Sequence, residues 1–352
     1  MKGKRLAALG CAVAWLASAG AAARSFDVQE LPADPVALTY RETKEIEKIE
    51  KQLQARAEEK AREEAKQVKR ARPAPNSVEA IREAFEARAM ENAGVDMSAR
   101  MALYTMPDER RVDAEFATKG DKPLAWSSDH QRLLFLSERL GSAQLFEWNR
   151  QSDATIPLTN ETDTVLDGCY GPKGELAFAV GEPLVQGAQG ASGGVRLRVR
   201  VPGGEVRTVT PGPLDTACTW SPTEPLLVYQ SRGKSGIDEI VAVNPLAPGA
   251  PRYLANGRSP VFTPDGKWVV YSSRTNKGWK IFKVRTDGGG KQSVGAGTMQ
   301  EVEPSLSRDG KWLLFTGYFE GKPYETDLMI RPFAGGKERK LDIDDKPHRT
   351  TW

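Results

Sequence analysis

One phrase recurs along the chain and limits what it can fold into. It reads Ser259-Pro-Val-Phe-Thr-Pro-Asp-Gly-Lys-Trp-Val-Val-Tyr-Ser-Ser273, then Glu303-Pro-Ser-Leu-Ser-Arg-Asp-Gly-Lys-Trp-Leu-Leu-Phe-Thr316. Weaker copies lie at residues 122–137, 168–179 and 216–231. An aromatic or apolar landmark precedes the turn in each copy: Trp126, Tyr170, Trp220, Phe262 and Leu306. Successive landmarks are roughly 42 to 50 residues apart, the period of a four-stranded propeller blade.

The grammar within one copy is readable. A short strand ends at the landmark. Ser/Thr-Pro-Asp-Gly then makes a tight turn, with Pro presetting φ and Gly accepting a positive one. The run Trp268-Val-Val-Tyr271 is β-branched and aromatic, as a buried strand should be. A polar loop leads to a third strand, Lys280-Ile-Phe-Lys-Val284, and Asp287-Gly-Gly turns into a fourth. A single blade cannot bury both faces of its sheet, whereas blades packed around an axis can.

The chain ends extend the pattern from five copies to six. Asp345-Lys-Pro-His-Arg-Thr-Thr-Trp352 restates Asp121-Lys-Pro-Leu-Ala-Trp126, yet only one strand of a further blade fits before the chain stops. Ahead of the first copy, Met101–Met106 and Arg111–Ala117 look like strands without a sheet. The expected fold is therefore all-β. The C-terminal strand completes a blade begun by residues about 99–120, closing a six-bladed propeller over residues 96–352 and removing its open edge; the alternative is five blades with a frayed tail.

Residues 1–23 carry a basic start, Met1-Lys-Gly-Lys-Arg5, a short apolar stretch from Leu6 to Ala17, and small residues at Ala19–Ala23. This is the pattern of a cleavable secretory signal, which implies export to the periplasm. Cys11 after Ala-Leu-Gly is the alternative, a lipid anchor. Residues 24–95 read as an extended segment containing Pro32 and Pro35, followed by a charged helical arm. Residues 41–71 are almost entirely Lys, Arg, Glu, Gln and Ala, a helix of about 40 Å at 1.5 Å per residue. Its apolar stripe of Ile46, Ile49 and Leu53 fades into alanines, which suits either a solvated spacer or a coiled-coil arm. After Pro73 and Pro75, a second helix is expected from Asn76 to about Gly94.

Composition narrows the chemistry. The net charge is +3 and leaves no nucleic-acid footprint. The two histidines, His130 and His348, are too few for a histidine metal site, and no cysteine pair has zinc spacing. No phosphate-cradling signature is present, so no cofactor is expected. Gly190-Ala-Ser-Gly-Gly194 matches a nucleophile-elbow pattern but sits in a Gly-rich stretch, read as a flexible loop. Cys169 and Cys218 precede landmarks in neighbouring copies. They are either a disulfide in an oxidising compartment or two buried thiols, since their differing parity can turn them to opposite faces.

Carboxylates recur near the landmarks. Asp121, Asp215 and Glu301 lie five residues before theirs, with Asp167, Glu303, Asp345 and His348 nearby. If the first strand of each blade lines the axis, these residues form an acidic rim at one channel mouth, able to bind a cation or a basic segment. Alternatively, each satisfies backbone groups in the loop between blades.

The phrase Pro-x-aromatic-Ser/Thr-Pro-Asp-Gly-Lys-Trp, followed by aliphatic and aromatic residues, a strand and Asp-Gly-Gly, resembles the WD-like repeats of the TolB family. The resemblance is strongest over residues 257–340. It implies a six-bladed propeller that docks an envelope protein, as in the Tol–Pal system, where the partner is the lipoprotein Pal. The repeat also occurs in peptidase- and lyase-type propeller enzymes, so it speaks for fold more than for function. This chain has a helical region where the family carries an α/β domain. The expected function is a non-enzymatic periplasmic scaffold for protein–protein interaction in the cell envelope. A propeller enzyme with an unrecognised channel site and a small-ligand or metal-binding sensor are the alternatives.

Overall fold

Alternating residues of the apolar runs face opposite neighbours. In the strand Arg132–Ser137, Leu133 and Phe135 pack into one core cluster while Leu134 and Leu136 pack into another. Trp312 and Leu314 likewise face away from Leu313 and Phe315. A strand buried on both faces must read as a continuous hydrophobic run, which is why the runs do not alternate with polar residues.

The consequence is a ring of six four-stranded antiparallel sheets, the six-bladed propeller expected from the repeat. Six hydrophobic clusters fill the spaces between the sheets, one at each blade–blade interface. The computed structural model describes residues 31–66, 99–187, 190–233, 236–247, 249–295, 299–319, 326–343 and 346–352. The expected signal at residues 1–23, with Cys11, and the expected second helix at 76–94 lie outside them. Among the described residues, no helix is long and apolar enough to cross a membrane.

Blades 1 to 5 run in sequence order, with innermost strands Lys122–Trp126, Val165–Tyr170, Thr216–Trp220, Arg258–Phe262 and Gln300–Leu306. The turn after each innermost strand explains the repeated motif. Thr263 and Ser307 donate their hydroxyls to Asp265 and Asp309 at 2.6 Å and accept the N–H of Trp268 and Trp312. The aspartates accept from the N–H of Lys267 and Lys311 in turn. Ser127 and Asp129 repeat the arrangement with Gln131. Hydrogen bonds from Ser127 and Thr263 hold the Asp129 and Asp265 carboxyls below the usual carboxylate range.

The closing blade corrects the expected domain limits. Its sheet runs from Lys346–Thr351 innermost, through Val36–Arg41 and Arg100–Thr105, to Arg110–Asp113. The C-terminal strand and residues 100–113 are there as expected. The second strand comes from the segment assigned to the N-terminal region. Val36-Ala-Leu-Thr-Tyr40 is β-branched and aromatic enough for a strand, and all five residues are buried. One side supplies Leu38 and Tyr40 to the cluster against blade 5, and the other supplies Ala37 to that against blade 1. Trp352 ends in the former cluster, its backbone N–H bonded to Ser305 Oγ at 2.9 Å.

The helix Thr43–Lys66 therefore belongs to a long insertion, residues 42–99, between the second and third strands of the closing blade. Its 24 residues span about 36 Å. Ile46 and Ile49 are buried and Leu53 is partly so, whereas most described residues beyond are exposed. The first turn is tied to the ring by charge. Glu42 pairs with Arg100, and Glu45 lies 3.7 Å from Arg100 and 3.4 Å from Lys119 of the loop leading into blade 1.

The Gly-rich stretch expected as a loop is a strand instead. Gly190–Arg200 pairs with Leu176–Gly187, so Ser192 sits opposite Val185 in a hairpin. At its base Gly181 has φ 140°, and a Cβ there would meet the Gly194 carbonyl oxygen at 2.0 Å. The two strands can approach at this point only without side chains. A hairpin is no setting for a nucleophile elbow, which needs a strand-to-helix turn.

Candidate functional site

All six innermost strands carry the same irregularity. Each contains one more residue than its partner strand over the stretch before the landmark. A bulge of this kind breaks the two-residue alternation and re-aims the side chains around it. It splits the predicted carboxylates into two groups with different fates.

Asp121, Asp215 and Glu301, five residues before their landmarks, are buried at 2%, 0% and 0% exposure. They are spent on neighbouring loops and strands. Asp121 accepts from Thr118 N and Oγ1 and from Arg139 at 2.6 Å. Asp215 accepts from Gly212 N and Ser231 Oγ, both at 2.6 Å. Glu301 accepts from buried Arg331 at 3.0 Å, with Lys280 at 3.8 Å. Asp121 and Asp215 thereby satisfy backbone groups in the loop between two blades, the alternative role considered for these residues, and Glu301 pairs with cations on the strands beside it.

The position three residues before the landmark holds Pro123, Asp167, Ala217, Ser259, Glu303 and Arg349 in blades 1 to 6. The last five line an axial cavity of about 520 Å³, with Leu124 contributed by blade 1. Asp167 accepts from Gly168 N at 2.7 Å and Ala217 N at 3.1 Å, and its Oδ1 lies 3.5 Å from Arg349. Ala217, Ser259 and Glu303 have φ of 48°, 54° and 53°, a left-handed conformation unfavourable for residues with a side chain. Burial pushes the Glu303 carboxyl above its ordinary range, although Arg349 and Arg258 pull the other way. Its Oε2 is buried without a hydrogen-bond partner.

Arg349 was not foreseen as a site residue. Its signal was available, because it occupies in the last repeat the place held by Asp167 and Glu303. Asp345 lies outside the described residues. His348 lies in the innermost strand of blade 6, where the pairing skips it between Pro347 and Arg349; its side chain is outside the description. His130 is buried in the turn below Trp126, stacked on that indole at 5.9 Å, and desolvation lowers its pKa.

Arg349 also lines a second cavity, about 740 Å³, at the mouth where the innermost strands begin. Five cations face it, Arg41, Lys119, Lys122, Arg139 and Arg349, against Asp121 and Glu138. At this place, between blades 6 and 1, cationic side chains outnumber carboxylates. The helix insertion is tied to the same mouth through Lys119.

Cys169 and Cys218 form a disulfide, with Cα atoms 5.8 Å apart, linking the innermost strands of blades 2 and 3. Of the two sequence readings, the bridge holds.

The fold is a six-bladed propeller structurally similar to those of TolB proteins. No protein-family model matches the chain, and no curated protein matches it in sequence. Among solved structures, a protein described as TolB from Agrobacterium tumefaciens is similar with a TM-score of 0.56 and 18% identity, over 68% of this chain and 86% of that one. TolB from Acinetobacter baumannii gives 0.57 and 14%, over 72% of this chain and 62% of its own length. The hydrazine synthase of Kuenenia stuttgartiensis gives 0.57 and 12%, over 72% of this chain and 43% of that one. At these identities the likeness is one of fold.

Proposed function

We propose that this protein is a non-enzymatic, exported propeller scaffold that docks envelope proteins at the mouth carrying the helix insertion. The observation that carries this reading is the insertion itself. A charged helix of 24 residues enters between two strands of the closing blade and is held to Arg100 and Lys119 by Glu42 and Glu45. Exposed apolar side chains on the same face support it: Leu140, Ile237 and Phe319, each more than half exposed, sit in the loops after the second strands of blades 1, 3 and 5. Apolar side chains ringed by charge are usual in protein docking surfaces. The Cys169–Cys218 bridge supports an oxidising compartment, and the signal-like residues 1–23 support periplasmic export. The partner class suggested by the TolB resemblance is an envelope protein of the Pal lipoprotein type.

Site-specific photo-crosslinking in intact cells tests the reading. A crosslinker at Leu140 or Phe319 should capture an envelope protein, whereas one at Val206 or Ile156, on the outermost strands, should not. Capture that is equal at all four positions, or absent at the mouth, would remove this reading.

A further inference from the structure

We propose that the axial cavity binds a small free carboxylate, seated between Arg349, Glu303 and Ser259. The proposal concerns a ligand rather than a protein partner and stands independently of the docking reading.

The three residues come from successive blades, at the same place in the repeat, and all line one cavity. Its volume of about 520 Å³ lies in the range of small-molecule sites, roughly 300–1,000 Å³. Among the described residues, Arg349 has one ion-pair contact, a long one of 3.5 Å to Asp167. A guanidinium has five N–H donors in a fork that matches a carboxylate, so most of them remain for a ligand. Its side chain is 36% exposed and lines both the axial and the second cavity.

Glu303 supplies the second element. Its Oε2 is buried with no partner, on a backbone held at φ 53°. An unpaired buried oxygen and a strained backbone at one residue are costly, and such costs gather at functional sites. Burial raises the carboxyl's pKa, favouring the protonated form, which donates a hydrogen bond to an oxyanion. The charged groups facing Glu303 are Arg349, Arg258 and Asp167. Arg258 lies over the Trp279 ring at 3.8 Å. A cation is the poorer occupant, because Asp167 is already engaged by two backbone N–H groups and Arg349.

The test measures thermal stabilisation and calorimetric binding of the full chain with acetate, succinate and citrate, using sulfate and chloride at matched ionic strength. At least one carboxylate should bind saturably. Arg349→Gln should weaken that binding at least tenfold, and Ser259→Ala several-fold. Affinity should fall as pH rises through the raised Glu303 pKa in the wild type. Glu303→Gln, which keeps a donor, should retain binding without that pH dependence. No saturable carboxylate binding overturns the proposal. So does binding undiminished in both Arg349→Gln and Ser259→Ala, or a sulfate response equal to that of the carboxylates. If Arg349→Gln does not fold, the Ser259→Ala and Glu303→Gln results decide.

Discussion

Cys169 and Cys218 join the innermost strands of neighbouring blades across a sequence separation of 49 residues, with Cα atoms 5.8 Å apart. Cys169 stands one residue before its landmark and Cys218 two, which looked like a reason against pairing. It is the reason for it. Each landmark packs against the preceding blade, Tyr170 towards blade 1 and Trp220 towards blade 2. A residue one place earlier faces the following blade, and a residue two places earlier faces the preceding one. Only opposite parity brings two side chains into the same gap.

Opening this bridge should therefore cost stability without changing the fold. The Cys169→Ala/Cys218→Ala variant is expected to lose about 2–4 kcal/mol, the usual contribution of a disulfide. Denaturant unfolding with and without reductant measures it. Peptide mapping should find both cysteines alkylated only after reduction.

Closure by strands from both ends of the chain makes the C-terminus essential. Removing residues 346–352 deletes the innermost strand of blade 6 and uncovers the cluster around Leu38, Tyr104 and Leu314. Cooperative thermal unfolding should shift down by more than about 10 °C, given several kcal/mol of lost burial. Trp352→Ala alone should cost about 3 kcal/mol, as for other large core truncations. A deletion variant that melts like the wild type would refute the closure.

The carboxylates five residues before the landmarks should behave as structural groups. Glu301→Ala leaves Arg331, only 3% exposed in its side chain, without its principal partner. Breaking a buried pair in this way costs about 3–5 kcal/mol. Asp215→Ala strips Gly212 N and Ser231 Oγ of their acceptor and should cost about 1–3 kcal/mol. Chemical denaturation measures both, and ligand affinity of the folded fraction should be unchanged.

Glu303 should be visible in the pH dependence of stability. Its folded pKa is raised by burial, so the folded state binds more protons than the unfolded one above the ordinary Glu range near 4.3. The favourable contribution is complete below that value and is lost as pH climbs through the raised pKa. Relative to the wild type, Glu303→Gln should therefore gain stability progressively as pH rises from the ordinary Glu range through the raised pKa. A difference in melting temperature that is flat over this window would count against a buried, desolvated carboxyl.

The repeat made the ring legible in the sequence, because a landmark, a Ser/Thr-x-Asp-Gly turn and an apolar run are each local, and their period carries the blade. The ends were half legible: Trp352 announced itself as a sixth landmark, but Val36–Arg41 did not, since a single buried strand far from its sheet has no repeat around it to compare with. The axial site needed the tertiary structure. Asp121 and Asp167 look alike in sequence, both acidic and both just ahead of an aromatic landmark. One extra residue in each innermost strand shifts the alternation, burying Asp121 in a loop contact and turning Asp167, Glu303 and Arg349 towards a common axis. Bulges leave little trace in composition, and the meeting of side chains from blades 2, 5 and 6 exists only once the ring has closed.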